Sequence, residues 1–421
     1  MKNYIILTVD IHPIGGMQLY VSGKAKYLEK NGWRVNIFFD SYEQDLCKDM
    51  ELNKYLDGNI PELELSPAEF PKFLINRVLK KMVQKIGETG DEIIIESQSS
   101  SYALWGELLA KKLKAKHFCF LCNEEFRSPE KYYDRYIDFF DFKHKRRELA
   151  GIHQNSCALL FEGYKDVSPS EALSFTAKAK EPVQDVLDHR LDAIKQADYT
   201  ICYIGRINKG YVPNILDGVC EFAKEHRDNL VQMVFVGDVT PRMDLIREKI
   251  NDIPNLRTCL LGDLVPIPRE LFSRIDVVIA GSGCALCSAR EGIATIVADA
   301  QNYKSNGILG VDTNNPFFVQ DGGQQFEFSY SLKKVLVDKV RAASSVAPED
   351  TDSVYAEHFK LINNSDQLQE YYCQSKLETQ NVDVKKILLL EVEVFKIRLK
   401  KTAPKLFQVL HSIRITFFHK K

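Results

Sequence analysis

No run of apolar residues in this sequence approaches the roughly 18 needed to cross a bilayer as a helix. Charge of one sign is equally scarce. The 56 lysines and arginines balance 58 acids to leave a net charge of −2, too little for a global field that would gather nucleic acid or an acidic polymer. Any charge-driven partner must therefore use a local patch, and no nucleic-acid partner is expected. The opening run Tyr4-Ile5-Ile6-Leu7-Thr8-Val9 is too short for a secretory signal and closes on Asp10, so a cytoplasmic location is expected. Internal repeats and low-complexity segments are absent. The ten cysteines are scattered, mostly inside apolar runs such as Thr200-Ile201-Cys202-Tyr203, where a reduced thiol acts as a small hydrophobe; no disulfide framework is implied. Cys119/Cys122 and Cys284/Cys287 have zinc-type spacing, but the first pair falls in an apolar strand and the second on a helix. No metal site is assigned.

What is present is an alternation. Short β-rich runs are separated by longer amphipathic stretches, the pattern of parallel βαβ units. Strands are predicted over Tyr4–Val9, Val35–Phe39, Glu92–Ile95, His117–Leu121 and Cys157–Phe161, with helices such as Gln18–Asn31, stopped by Gly32, and Tyr102–Lys114. After a polar stretch from Gly163 to Val183 the series restarts with Tyr199–Ile204, Val231–Val236, Leu256–Leu261, Val277–Ala280 and Thr295–Ala298. With 421 residues the chain exceeds one ordinary core. The fold class expected is α/β: two Rossmann-like, doubly wound domains, residues 1–180 and 181–380, facing a central cleft, followed by a helical C-terminal extension over 381–421.

Three strand ends carry residues suited to anions. After the first strand comes His12-Pro13-Ile14-Gly15-Gly16, leading into a helix; paired glycines there admit a ligand to the backbone and to the helix N-terminus. The segment Tyr203-Ile204-Gly205-Arg206-Ile207-Asn208-Lys209-Gly210 places two cations three residues apart at the carboxyl end of a parallel strand, where open α/β sheets bind ligands. Arg206 can fork two phosphate oxygens and Lys209 adds a point charge, a pair suited to a nucleotide diphosphate. The strand Val277–Ala280 runs into Gly281-Ser282-Gly283 and another helix start, with a serine hydroxyl as a further donor. In the first half Glu96 and the cluster Asn123-Glu124 follow strands, and with His12 they are acceptor-side candidates.

Through these segments, Val234 to Asp238 and Gly281 to Asp299, the chain resembles GT-B-fold glycosyltransferases, in particular family 4 and relatives in bacterial surface-polysaccharide synthesis. The resemblance implies that Arg206 and Lys209 are catalytic, neutralising the leaving diphosphate. It implies that Gly15 and Gly16 close on the donor, and that Gly237-Asp238 lies near the base. Gly205, Gly281, Ser282, Gly283 and Glu291 complete the implied donor site. Residues 1–180 become the acceptor side and 181–380 the donor side. The implied reaction moves a sugar, with retention expected, from a nucleoside diphosphate sugar to a saccharide or lipid-linked saccharide, with no cofactor. One departure stands out. Aligned on Gly292, the two positions where the family carries glutamates hold Ile279 and Cys287, leaving Glu291 or Asp299 as substitutes for the ribose contact. An epimerase or inverting transferase on the same fold, and a non-catalytic nucleotide-sugar-binding subunit, therefore stay open.

Residues 396–421 contain eight basic side chains and no acid, interleaved with Leu406, Phe407, Leu410, Ile413, Phe417 and Phe418. Such a segment can rest on an anionic membrane face or brace the first domain, and peripheral attachment at the inner face of the cell membrane is the expectation carried forward.

Overall fold

The computed structural model describes residues 2–9, 11, 16–40, 52–88, 90–122, 131–152, 154–168, 170–174, 183–237, 243–250, 252–316, 323–340, 351–363, 370–373, 377, 382, 384–403 and 405–408. The chain divides into two compact units, Met1–Lys178 together with Thr351–Lys421, and Ala179–Asp350.

The first unit is built on seven strands: β1 (Lys2–Thr8), β2 (Trp33–Phe39), β3 (Leu56–Asn59), β4 (Glu92–Ser97), β5 (Lys116–Leu121), β6 (Leu149–Gly151) and β7 (Leu173–Ser174). They are ordered β3-β2-β1-β4-β5-β6-β7, and all pairs are parallel. A parallel sheet is covered on both faces, so its strands are apolar throughout rather than alternating; Tyr4, Ile5, Ile6 and Leu7 are all fully buried. The covering helices are α1 (Gly16–Lys30), α2 (Lys72–Ile86), α3 (Ser100–Leu113), α4 (Lys131–Lys145) and α5 (Gln154–Phe161). Gly32, at φ +77°, supplies the left-handed residue that ends α1. The run 157–161, expected as a strand, is the last part of α5. Its buried residues Cys157, Leu160 and Phe161 follow helical spacing, and a five-residue apolar run is too short for periodicity to separate the two conformations.

The second unit opens with β8 (Val183–Gln184) and continues with β9 (Tyr199–Ile204), α6 (Val212–Glu225), β10 (Val231–Val236), α7 (Met243–Ile250) and β11 (Leu256–Gly262). Then follow β12 (Ile267–Pro268), β13 (Val277–Ala280), α8 (Ser282–Arg290), β14 (Ala294–Ala298), β15 (Ser305–Ile308) and α9 (Phe328–Leu336). Its main sheet has the order β11-β10-β9-β13-β14-β15, parallel except for the last strand.

Helices α10 (Thr351–Asn363) and α11 (Val384–Thr402) return to the first unit. Residues 351–380 therefore do not belong with the donor-side half, and 381–421 is not a separate segment. The reason is packing. Tyr355 is buried against Tyr20 and Tyr27, at ring distances of 5.9 and 5.7 Å. Gly23 of α1 makes this crossing possible, since a β-carbon there would lie 2.2 Å from the Tyr355 hydroxyl. Leu377 and Leu390 join the core on the opposite face of the same sheet, with Ile5 and Leu7. Among the described residues no helix is long and apolar enough to cross a membrane.

Candidate functional site

In the second sheet β9 lies between β10 and β13, so the chain leaves β9 toward one edge and later returns to build toward the other. This is a topological switch point, where the loops beyond the carboxyl ends of the central strands part and form a crevice. The loop after β9 is a tight turn: the Lys209 amide donates to the Arg206 carbonyl at 3.3 Å, and the Val212 amide donates to the Lys209 carbonyl at 3.2 Å as α6 begins. An i to i+3 hydrogen bond brings the two end residues within about 7 Å at their α-carbons. The two cations singled out in the sequence are thus corners of one β-turn. Ile207, buried between them, anchors the turn, while Arg206 is exposed and Lys209 half-buried.

The turn is braced from below. Tyr203, itself buried on β9, donates its hydroxyl to the Arg206 carbonyl at 2.8 Å. Burial, and then the neighbouring Tyr211 hydroxyl, push the Tyr203 phenol well above its usual range, so it stays a donor at any ordinary pH. Gly205, at φ +153°, donates its amide to Val236, and Gly237, at φ +135°, donates to Gly262. The loops after β9, β10 and β11 are laced together in this way. Tyr211 reaches toward the next loop: a β-carbon on Gly281 would lie 3.4 Å from its hydroxyl and 3.0 Å from the Ala298 carbonyl. Gly281 caps α8 without a side-chain hydrogen bond. Ser282 holds a left-handed φ of +53°, and its amide is committed to the Pro316 carbonyl at 2.7 Å. Gly283 has open space where a side chain would stand.

The structure therefore brings Gly205, Arg206, Lys209, Gly237, Gly281, Ser282 and Gly283 to one sheet edge. It does not bring Glu291 there. Glu291 follows the last residue of α8, ten residues or about 15 Å along the helix axis from Gly281, and pairs with Arg269, which also binds Asp185 at 2.9 Å. Asp299 is buried and accepts the Gln301 and Asn302 amides at 2.7 and 2.9 Å, closing its own turn. Ile279 is fully buried in β13 and Cys287 half-buried on α8. His12, Gly15, Asn123, Glu124 and Asp238 lie outside the described residues; Gly16 is the exposed first residue of α1.

Glu96 is a correction. It is fully buried, and its carboxylate is enclosed by Lys24, by the Tyr4 hydroxyl at 2.6 Å, by the Tyr20 hydroxyl at 3.0 Å and by the Gln98 amide at 3.0 Å. Burial raises its pKa, and the Lys24 charge and these hydrogen bonds reverse that, holding it below the ordinary carboxylate range. An anion so enclosed does not meet an incoming hydroxyl. Its role is to tie β1, β4 and α1 together below the other switch point, between β1 and β4, where the Thr8 hydroxyl donates to the Gln98 side chain at 2.8 Å. Lys24 escaped the sequence reading, yet a signal existed. It stands on the buried stripe Tyr20, Val21, Ala25, Leu28 of α1, and a lysine on an apolar stripe requires a buried partner.

Two mostly parallel, doubly wound units make up the GT-B class of fold, and this chain has it. A glycosyltransferase from Rickettsia africae matches with a TM-score of 0.55 at 12% identity, over 93% of this chain and 98% of that one. HepE of Anabaena, solved with UDP-glucose, matches with a TM-score of 0.53 at 11% identity, over 87% of this chain and 96% of that one; the same protein has been solved with UDP. No protein-family model matches the sequence. No curated protein is similar to it in sequence.

Proposed function

We propose that the chain is a glycosyltransferase that moves a sugar from a nucleoside diphosphate sugar to a saccharide or lipid-linked saccharide acceptor, with retention, in surface-polysaccharide or lipopolysaccharide synthesis. The observation that carries this reading is the single β-turn with Arg206 and Lys209 at its corners, braced by Tyr203 at the switch point. As the anomeric bond breaks, negative charge develops on the diphosphate, and two cations that the turn places beside it stabilise that charge. Arg206 grips two oxygens at once, while Lys209 follows the charge as it grows. The departing diphosphate then accepts the acceptor's proton, so no enzyme carboxylate is required. The UDP-sugar bound by HepE supports a uridine nucleotide as the first donor to test.

A second reading is a nucleotide-sugar-binding subunit without turnover, or an inverting transferase or epimerase. It is favoured by Ile279 and Cys287 at the glutamate positions and by Glu291 being turned to Arg269. The residue 396–421 tail is read as a weak peripheral anchor at the inner membrane face, where a lipid-linked acceptor would be met. A thermal-shift panel of nucleoside diphosphates tests the common premise, because a ligand bound only by the folded state raises Tm by mass action. A shift with no nucleotide would refute donor binding. A shift with one, followed by sugar release or transfer by the purified chain, separates the enzyme from the silent subunit.

A further inference from the structure

We propose that the outward face of α11 is a docking surface for anionic lipid. The inward face of this helix is accounted for: Leu390 is buried in the first core, Ile387 packs beside it, Lys386 pairs with Glu69 at 2.8 Å, and Glu391 pairs with Arg77 of α2. These contacts pin the helix and fix which side it presents. On the other side Val384, Leu388, Val392 and Phe395 are 61%, 61%, 49% and 62% exposed. Their spacing of four, four and three residues sets them on one line along the axis, with Leu389 beside them at 59%. Phe73, 70% exposed, stands one turn before Arg77 on α2, the helix to which Glu391 is tied. A monomer rarely leaves a contiguous row of large apolar side chains in water.

Charge selects the occupant. Residues 384–421 hold ten basic and two acidic side chains, net +8, on a chain whose total is −2, so the preceding 383 residues carry −10. No acid follows Glu393. A second copy packed on this strip would bring two such segments together, and like charges at close quarters oppose that. An anionic bilayer instead offers hydrocarbon for the apolar line and headgroups for the lysines, each worth about 1 kcal/mol near the surface. The proposal extends the peripheral reading of the tail to a defined helix face, and it does not depend on the transfer chemistry.

The test is co-sedimentation of the full chain with vesicles of phosphatidylcholine alone and of phosphatidylcholine mixed with phosphatidylglycerol, at low and high salt. The full chain is expected to bind the mixed vesicles, to ignore the neutral ones and to be released by salt. Leu388→Glu with Phe395→Glu should weaken the partition at least about tenfold with unchanged circular dichroism, since both side chains lie at the surface. Val384→Ser with Val392→Ser is the milder pair should the first fail to fold. Binding by either pair as strong as the parent's, with loss only when the chain is ended at Thr402, would assign attachment to the tail and overturn the helix face. Indifference of the parent to both vesicles, equal binding to both, or a dimer in solution that the same substitutions dissociate, would overturn it too.

Discussion

Gly237 approaches Gly205 so closely that a β-carbon on it would lie 2.3 Å from the Gly205 carbonyl oxygen. The two residues open the loops after β10 and β9, so the position of the Arg206–Lys209 turn depends on a missing side chain in the neighbouring loop. Gly237→Ala must push those loops apart and also hold alanine at φ +135°, a strain of about 1–3 kcal/mol. A fall in Tm of a few degrees and a donor affinity at least about tenfold weaker are expected. Gly283→Ala, with open space at that position, is the control and should fold like the parent. Calorimetric titration of both variants with nucleoside diphosphate checks this; parental affinity in Gly237→Ala would show that the loop spacing is irrelevant to the ligand.

Arg206→Ala and Lys209→Ala are each expected to lower kcat/KM by at least about a hundredfold, the loss of one strong electrostatic contact in a closed site. Stability should change little, because Ile207, Tyr203 and backbone hydrogen bonds hold the turn. With the charge met by fixed cations, transfer is also expected to continue in excess EDTA. Near-parental rates in both variants would remove the diphosphate assignment. Reversible loss of activity on chelation would replace it with a metal-dependent one.

Much of this architecture is legible in the sequence because parallel strands buried on both faces write themselves as unbroken apolar runs. Tyr199–Ile204, Val231–Val236 and Val277–Ala280 have the bounds read from sequence. The two-residue β7 and three-residue β6 carry too few side chains for any pattern. The Arg206–Lys209 pair was legible from its spacing after a strand, but its β-turn was not, since the turn depends on the Tyr203 hydroxyl below. Glu96 reads as a sheet-edge acid because it follows the apolar run Ile93–Ile95. Its partners Tyr4, Tyr20 and Lys24 lie 92, 76 and 72 residues away in sequence, where no local period reaches. The return of α10 to the first unit is hidden for the same reason.

A second buried network tests how far such clusters fix the first unit. His117 lies 3.0 Å from the Ser97 hydroxyl and 2.7 Å from Glu107, which also binds Lys143 at 2.6 Å; Lys143 binds Glu148 at 2.9 Å. The order serine, histidine, glutamate suggests a nucleophile, but Ser97 is fully buried, so the cluster is structural. Glu107→Gln leaves Lys143 with half its compensation and should destabilise by about 3–5 kcal/mol in urea unfolding. Gly106→Ala would set a β-carbon 2.2 Å from the Ser97 hydroxyl and 2.4 Å from His117, and should be comparably harmful. Parental midpoints in both variants would show that the network is dispensable.

The Lys24–Glu96 pair makes a prediction whose sign reverses on one substitution. In the parent the Glu96 carboxyl is held below its ordinary range, so its contribution to stability is complete above the unfolded-state pKa and is lost as pH falls through the folded value. Lys24→Met removes the cation and leaves burial, which favours the neutral acid and raises the folded pKa above the unfolded one. The contribution of that group is then present at low pH and lost as pH rises. Urea unfolding of Lys24→Met between about pH 4 and pH 7 should therefore show stability from this site falling toward neutrality, where the parent's stays level, its own change lying below about pH 5. At neutral pH the variant should be weaker than the parent by about 3–5 kcal/mol, the penalty for an uncompensated buried charge. Lys24→Met combined with Glu96→Leu removes both charges and should recover most of that loss, with neither slope. An unchanged pH slope in Lys24→Met would mean that Glu96 is not ionised in the folded parent, and that the Tyr4, Tyr20 and Gln98 hydrogen bonds hold a neutral acid.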